Sequence, residues 1–131
     1  MPPLTKILIV EDEENLLKAL ITKFKKEKGF NVLEAQNGRK GLMMSLKNHP
    51  NLIILDILMP DMDGITMAEK LRKDCWGKTV PIIFLTNIDP NFKVLNQLIN
   101  IKASYYLIKA NCNLYDIVIK AKELLDETES F

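Results

Sequence analysis

The stretch Leu52-Ile53-Ile54-Leu55-Asp56-Ile57-Leu58-Met59-Pro60-Asp61-Met62-Asp63-Gly64 decides the fold of this chain. It begins with four large apolar residues, continues with an acid, and ends in a segment rich in proline, aspartate and glycine, which is typical of a turn. A short apolar run of this kind predicts a strand buried on both faces of a parallel sheet. Asp56 then lies at the carboxyl end of that strand, where open α/β sheets place their binding crevice.

More apolar runs lie on either side of this strand, and helical patterns separate them. Asp89-Pro90 is predicted to begin the fourth helix and Asn113 to cap the fifth. Five strands that alternate with five helices predict an α/β fold with a three-layer, doubly wound, five-stranded parallel sheet. Of the two common doubly wound orders, the flavodoxin-like order 2-1-3-4-5 is the five-stranded one, and its crevice lies between strands 1 and 3. The predicted strands are Lys6–Val10, Asn31–Ala35, Leu52–Leu55, Pro81–Leu85 and Ser104–Ile108.

Length and composition limit the classes of protein to consider. The 131 residues fit a single domain over 1–131, with a core predicted over about residues 6–126 and a short tail over 127–131. A net charge of +1 gives no electrostatic reason to expect nucleic acid or an anionic membrane as a partner. No apolar run approaches the ~18–20 residues that cross a bilayer, and the first six residues do not resemble a signal peptide. A cytoplasmic location is therefore expected, with Cys75 and Cys112 as free thiols.

Polar residues follow four of the five predicted strands. Strand 1 ends at Glu11-Asp12 and strand 3 at Asp56, while Thr86 and Lys109 follow strands 4 and 5. The carboxyl ends of parallel strands share one edge of a sheet, so acids far apart in the chain are expected to meet beside a hydroxyl and an ammonium group. Any one of these residues alone is more often an ordinary turn residue. The set together favours a functional site.

The acids predict a magnesium site. Two carboxylates about 4 Å apart repel each other by roughly 4 kcal/mol at an effective dielectric near 20, so such a pair either protonates or binds a cation. Mg²⁺ prefers hard oxygen ligands and keeps several of its waters. Asp12 and Asp56 are expected to bind it directly, Glu11 through a water, and the backbone carbonyl of Leu58 as a further ligand.

The same edge of the sheet suits phosphoryl transfer. An anionic carboxylate approaches an anionic phosphoryl group only when positive charge lies close to both. Asp56 is therefore expected to be the nucleophile, with the metal on one side and Lys109 as a second positive charge on the other. Thr86 is expected to donate a hydrogen bond to a phosphoryl oxygen, because this reaction needs positioning and neutralisation more than covalent help.

From about Lys6 to the final helix, the chain resembles the receiver domains of bacterial two-component response regulators, of the chemotaxis-regulator type. The resemblance implies that Asp56 takes a phosphoryl group from a sensor histidine kinase or a histidine phosphotransfer protein. It also implies that the domain is not an enzyme in its own right and catalyses only its own phosphorylation and dephosphorylation. The residues that match in type and spacing are the Asp56–Gly64 stretch, Glu11-Asp12, Thr86, Tyr106 and Lys109.

The resemblance further implies a switch. Thr86 would move toward the phosphoryl group and Tyr106 would turn inward. The face built from helix 4, strand 5 and helix 5 would then change its binding to a downstream protein or an output domain. A simpler interpretation of Tyr106 is a strand aromatic that packs on helix 4.

Two positions depart from the family's usual pattern. Asn87, next to Thr86, is bulkier than the residue that the family usually has there. Lys109 precedes Ala110, where the family usually has a proline after a cis peptide bond. A cis bond before alanine costs ~2.5–4 kcal/mol, so the loop either keeps a costly bond or runs trans and repositions the lysine. We expect Lys109 to reach the site in either case.

Two other functions are alternatives at this stage. Haloacid-dehalogenase-type hydrolases also have a nucleophilic aspartate after a parallel strand, but they have a second aspartate two residues later, and Leu58 occupies that position. A receiver-like scaffold that is never phosphorylated usually lacks an acid or the lysine, and this chain has all of them. The chain fits a stand-alone regulator or one domain of a longer regulator.

Overall fold

The computed structural model of the chain describes residues 4–87 and 90–129, with side chains described as far as residue 126. Its five strands form one parallel sheet in the order β2-β1-β3-β4-β5, so the predicted flavodoxin-like fold is confirmed. The strands are β1 Thr5–Val10, β2 Phe30–Ala35, β3 Leu52–Asp56, β4 Ile82–Thr86 and β5 Tyr105–Ile108. The α-helices are α1 Glu14–Lys25, α2 Gly38–Asn48, α3 Gly64–Arg72, α4 Phe92–Asn100 and α5 Leu114–Glu129.

The sheet separates two apolar cores because its strands alternate their side chains between the faces. Leu8 and Val10 of β1 belong to the core beneath α2, α3 and α4. Ile7 and Ile9 of the same strand belong to the core beneath α1 and α5. The central strand β3 is buried along its whole length, as expected for a strand covered on both faces. Asp56 is therefore held at the end of a strand that is packed on both faces.

Short polar side chains fix where most of the helices begin. Asn37, Asp63 and Asn91 each accept a hydrogen bond from the backbone N–H three residues later, at the starts of α2, α3 and α4. Asn113 and Asp116 exchange such bonds at the start of α5, as the prediction of an Asn113 cap requires. The prediction that Asp89-Pro90 begins the fourth helix is wrong, because α4 begins two residues after Pro90, at Phe92, with Asn91 as its cap; Asp89 itself lies outside the described residues.

The length of the helices and the state of the cysteines complete the description of the fold. Helix α5 continues through Glu129, three residues into the stretch predicted as a tail. Among the helices of residues 4–87 and 90–129, none combines the length and apolar character that crossing a bilayer demands. Cys75 and Cys112 are free thiols, as predicted.

Candidate functional site

Three acids meet at the carboxyl edge of the sheet, where β1 and β3 lie side by side. Glu11 and Asp12 directly follow β1, and Asp56 is the last residue of β3. One carboxylate oxygen from each lies within 4.8 Å of the others. Glu11 and Asp56 are 1% and 2% exposed, whereas Asp12 is open to solvent. The acids predicted from the strand ends are therefore close enough to share one small cation.

Lys109 reaches the same point from β5, as predicted. Its Nζ lies 2.8 Å from Oε1 of Glu11 and 3.2 Å from Oδ2 of Asp56, and its side chain is 15% exposed. The Lys109–Ala110 peptide is trans, as are all peptide bonds in the described part of the chain. Lys109 begins a short 3-10 turn that ends at Asn111, and the lysine side chain spans the remaining distance without the family's usual proline.

The carboxyl group of Asp56 is electrostatically frustrated. Burial away from water and the neighbouring charge of Glu11 together raise its pKa from 3.8 to about 7, although the ammonium group of Lys109 acts in the opposite direction. Its Oδ1 atom is buried and accepts no hydrogen bond from any described group. An oxygen in this position is costly to leave without a partner, so it is a natural ligand for a cation.

Glu11 is more constrained than the sequence suggests. Its Oε2 accepts a hydrogen bond of 3.0 Å from the backbone N–H of Glu13, while Oε1 faces Lys109. These contacts orient Glu11 toward the lysine. Burial alone would lower the pKa of Lys109, but the hydrogen bonds and charges of Glu11 and Asp56 together raise it above its usual value. The Oδ1 atom of Asp56, by contrast, has no hydrogen-bond partner among the described residues. This donor set of hard oxygens, one of them buried and unsatisfied, fits Mg²⁺.

An ion pair between distant residues holds the loop after β3 in place. Asp61, with a φ of 72°, accepts a hydrogen bond of 3.0 Å from the guanidinium of Arg39 on α2. The side chain of Leu58 is 57% exposed beside the acids, and its carbonyl stays a predicted ligand. The pairing of Arg39 with Asp61 has no local signal in the sequence, because these residues lie on different elements, 22 positions apart.

Gly64 is required where this loop enters α3. Its N–H donates a hydrogen bond of 2.8 Å to the carbonyl of Ile57, so its backbone lies against the end of β3. A Cβ atom built on Gly64 would lie 2.1 Å from the carbonyl oxygen of Asp56, which is a severe overlap with the backbone. Only glycine therefore permits this close approach.

We predict that Gly64→Ala lowers the free energy of unfolding by about 2–3 kcal/mol, because α3 must move away from Asp56. Urea unfolding at equilibrium measures this loss. Gly29→Ala serves as a comparison, since Gly29 has a φ of 94° but open space around it, and backbone strain alone costs about 1 kcal/mol. Equal losses in the two variants would contradict the steric explanation.

Comparison with known proteins identifies the family and agrees with the observed fold. The response regulator receiver domain family matches residues 7–121 of the chain. The chain belongs to this family. Receivers of this family are parts of two-component systems, and the predicted resemblance is therefore confirmed.

Individual relatives support the assignment of the chain to the receiver family. The chain is 32% identical to the transcriptional regulatory protein SrrA of Staphylococcus aureus over 95% of its own length and 49% of that protein. It is 41% identical to the probable transcriptional regulator ycf27 of Galdieria sulphuraria over 62% of its length and 30% of that protein. The crystal structure of a CheY-like receiver domain protein from Methanospirillum hungatei superimposes with a TM-score of 0.87 at 30% identity, covering 96% of this chain and 97% of that one. The receiver thus spans about half or less of these curated relatives.

The remaining predicted residues of the receiver lie to one side of the acids. Thr86 ends β4, next to β3, and is 3% exposed. Tyr106 pairs with Phe84 in the β4–β5 register and is 39% exposed. It borders a groove of about 500 Å³ between α4 and β5, which is lined by Leu95, Leu98, Ile99, Ala103, Ser104, Tyr105 and Tyr106. Tyr106 therefore has open space beside its ring.

Proposed function

We propose that this receiver takes a phosphoryl group from a phosphohistidine onto Asp56, with Mg²⁺ as the cofactor. The observation that supports this most directly is the buried Asp56 carboxylate, with Lys109 at 3.2 Å and two further acids within 4.8 Å. A sensor histidine kinase or a histidine phosphotransfer protein is the proposed donor. The phosphorylated receiver would act through protein contacts, as a stand-alone regulator or as part of a longer one.

In the proposed reaction a carboxylate oxygen of Asp56 attacks phosphorus, and the bond from phosphorus to the imidazole nitrogen breaks. The bonding electrons return to the imidazole, and the product is an acyl phosphate on Asp56. The ammonium group of Lys109 lies 3.2 Å from Oδ2 of Asp56, where it would also neutralise negative charge on the incoming phosphoryl group. The hydroxyl of Thr86, at the end of the adjacent strand, would donate a hydrogen bond to a phosphoryl oxygen.

The metal would supply positive charge between the carboxylate and the incoming phosphoryl group. Asp12 and Asp56 are the proposed direct ligands, with Glu11 acting through a water and the carbonyl of Leu58 as a further ligand. Because its pKa is raised, the carboxyl group of Asp56 holds a proton more readily, and a protonated carboxyl group is a poor nucleophile. A bound cation would favour the deprotonated, nucleophilic form. We also propose that the receiver is not an enzyme in its own right and catalyses only its own phosphorylation and dephosphorylation, because Leu58 cannot act as an acid or a base beside Asp56.

The proposed output surface is the face of α4, β5 and α5. It exposes large apolar side chains that a folded domain ordinarily covers, which favours a protein partner. Tyr106 would turn into the groove beside α4 when Thr86 moves toward the phosphoryl group. The exposed side chains of this face are Phe92 at 85%, Ile99 at 71%, Tyr115 at 58% and Tyr105 at 43%.

We predict that acetyl phosphate and Mg²⁺ add one phosphoryl group to the protein, and that Asp56→Asn abolishes the addition. Intact-mass spectrometry at neutral pH measures the added mass, and omission of Mg²⁺ tests the cofactor. Asp61→Asn is the matched control, because Asp61 is an exposed acid that bonds Arg39 rather than Lys109.

The same preparation separates the alternatives. Absence of the added mass in the native protein, with the fold intact, would favour an unphosphorylated scaffold. Sustained hydrolysis of p-nitrophenyl phosphate would favour a hydrolase. We expect no such turnover, because the exposed Leu58 side chain offers no acid or base at the position where haloacid-dehalogenase-type enzymes have an aspartate.

A further inference from the structure

One guanidinium group ties the end of α4 to two other parts of the receiver. Arg72, the last residue of α3, donates hydrogen bonds of 2.7–3.1 Å to four backbone carbonyls. Two of the acceptors close α4 and two lie between α3 and β4. The acceptors are the carbonyl oxygens of Ile101, Lys102, Gly77 and Val80.

These contacts suit arginine in particular. The guanidinium is a planar group with five N–H donors in a fixed fork, so it can serve carbonyls that converge from several directions. The carbonyls at a helix C-terminus carry partial negative charge and are stabilised by a cation. A lysine ammonium is a compact point charge and cannot reproduce this geometry. Arg72 therefore fixes the C-terminal end of α4 to the body of the domain.

The rest of α4 is held weakly. Leu98 is the only side chain of the helix that is buried, while Phe92 and Ile99 are 85% and 71% exposed. The groove of about 500 Å³ between α4 and β5 leaves open space along one side of the helix. Ile101, just past the helix and bonded through its carbonyl to Arg72, is buried again. Packing thus increases toward the end that Arg72 holds.

The other end of α4 is connected to the acidic site. Thr86 ends β4, and residues 87–91 join it to Phe92, the first residue of α4. Because Thr86 and Phe92 are so close in the sequence, we infer that a displacement of Thr86 also displaces the N-terminal end of the helix. With one end displaced and the other fixed, the helix would rotate rather than translate.

We propose that Arg72 is the pivot of the receiver's response, a positioning residue about which α4 turns when the acidic site is phosphorylated. The proposal rests on the proposed function, because it needs a phosphoryl group on Asp56. It predicts that the N-terminal half of α4 and the groove beside Tyr106 change on phosphorylation, whereas the segment bonded to Arg72 stays in place.

Amide hydrogen exchange with and without beryllofluoride and Mg²⁺, which mimic the phosphoryl group, tests the pivot. In the native receiver we expect exchange at residues 93–97 to change by about threefold or more on adding the mimic, and at 99–103 by less than about twofold. In Arg72→Met we expect both halves to change to a similar extent. Lys70→Met is the matched control, because Lys70 is an exposed cation on the same helix, and it should behave like the native protein.

If Arg72 only stabilises the fold, we expect a different result. Exchange in Arg72→Met would then be faster by the same factor with and without the mimic, and the contrast between the two halves would persist. That outcome, or a native receiver in which α4 does not respond while Asp56 still takes up phosphoryl groups from acetyl phosphate, overturns the pivot and leaves the proposed function standing. If Arg72→Met does not fold, Arg72→Lys is measured instead, and we expect it to lose the contrast as well.

Discussion

Replacing Lys109 with methionine is expected to slow the labelling of Asp56 by acetyl phosphate by about 10²–10³-fold, the loss typical of removing one preorganised charge or donor from a reaction centre. The ammonium group lies 2.8 Å from Glu11 and 3.2 Å from Asp56, so the variant leaves two buried carboxylates without it. The attacking carboxylate then loses positive charge at the point where the phosphoryl oxygens arrive. Initial rates of mass gain at saturating Mg²⁺ measure the effect.

Controls separate this role from general charge. Lys18→Met removes an ammonium group that is 70% exposed and pairs with Glu14 on the surface, and it should change the rate by less than about twofold. Lys109→Arg retains the charge on a larger, planar group and should lie between native and methionine variants. A Lys109→Met rate within about threefold of the native rate would remove this residue from the proposed reaction.

The elements that could be read from the sequence are those fixed by local pattern and by the geometry of a parallel sheet. Four consecutive apolar residues before Asp56 identify a strand that is buried on both faces, and the shared carboxyl edge then brings Asp56 to Asp12. The same geometry placed Lys109 at the site even without the usual proline, because the strand end and a long side chain suffice. The roles of Thr86 and Tyr106 as a switch stay predictions.

What could not be predicted depends on contacts between distant segments. Nothing near Arg72 in the sequence indicates that its guanidinium will bond the carbonyls of Ile101 and Lys102, 29 and 30 residues away. The orientation of Glu11 toward Lys109 likewise depends on how far β5 extends. The start of α4 shows a local ambiguity, since Asp89 and Asn91 are both good capping residues and the side chain that caps the helix is Asn91.

In metal-free buffer, the free energy of unfolding is expected to fall as pH rises from about 4 to about 7, and Asp56→Asn should remove most of that fall. Burial and the charge of Glu11 raise the pKa of Asp56 from 3.8 to about 7 in the folded protein. Between these values the folded state holds a proton that the unfolded state releases. Stability is therefore lost through this window and stays low above it.

We expect the loss at Asp56 to be about 2 kcal/mol, discounted for solvent screening at the open edge of the site. Urea unfolding at several pH values in chelator measures the native protein and Asp56→Asn side by side. The difference between the two curves is the relevant quantity, because other carboxylates titrate in both. Asp61 contributes with the opposite sign and mainly below this window, since its hydrogen bond to Arg39 lowers its pKa below the usual value.

Mg²⁺ should restore the stability that deprotonation removes. A ligand that binds only the folded state adds about 2.7 kcal/mol when its concentration is 100 times its dissociation constant. Its effect should be largest above neutral pH, where Asp56 is charged, and smaller in Asp56→Asn. If the free energy of unfolding changed equally with pH in the native protein and in Asp56→Asn, the charge of Asp56 would not be what destabilises the metal-free site. The electrostatic argument for cation binding at Asp56 would then fail.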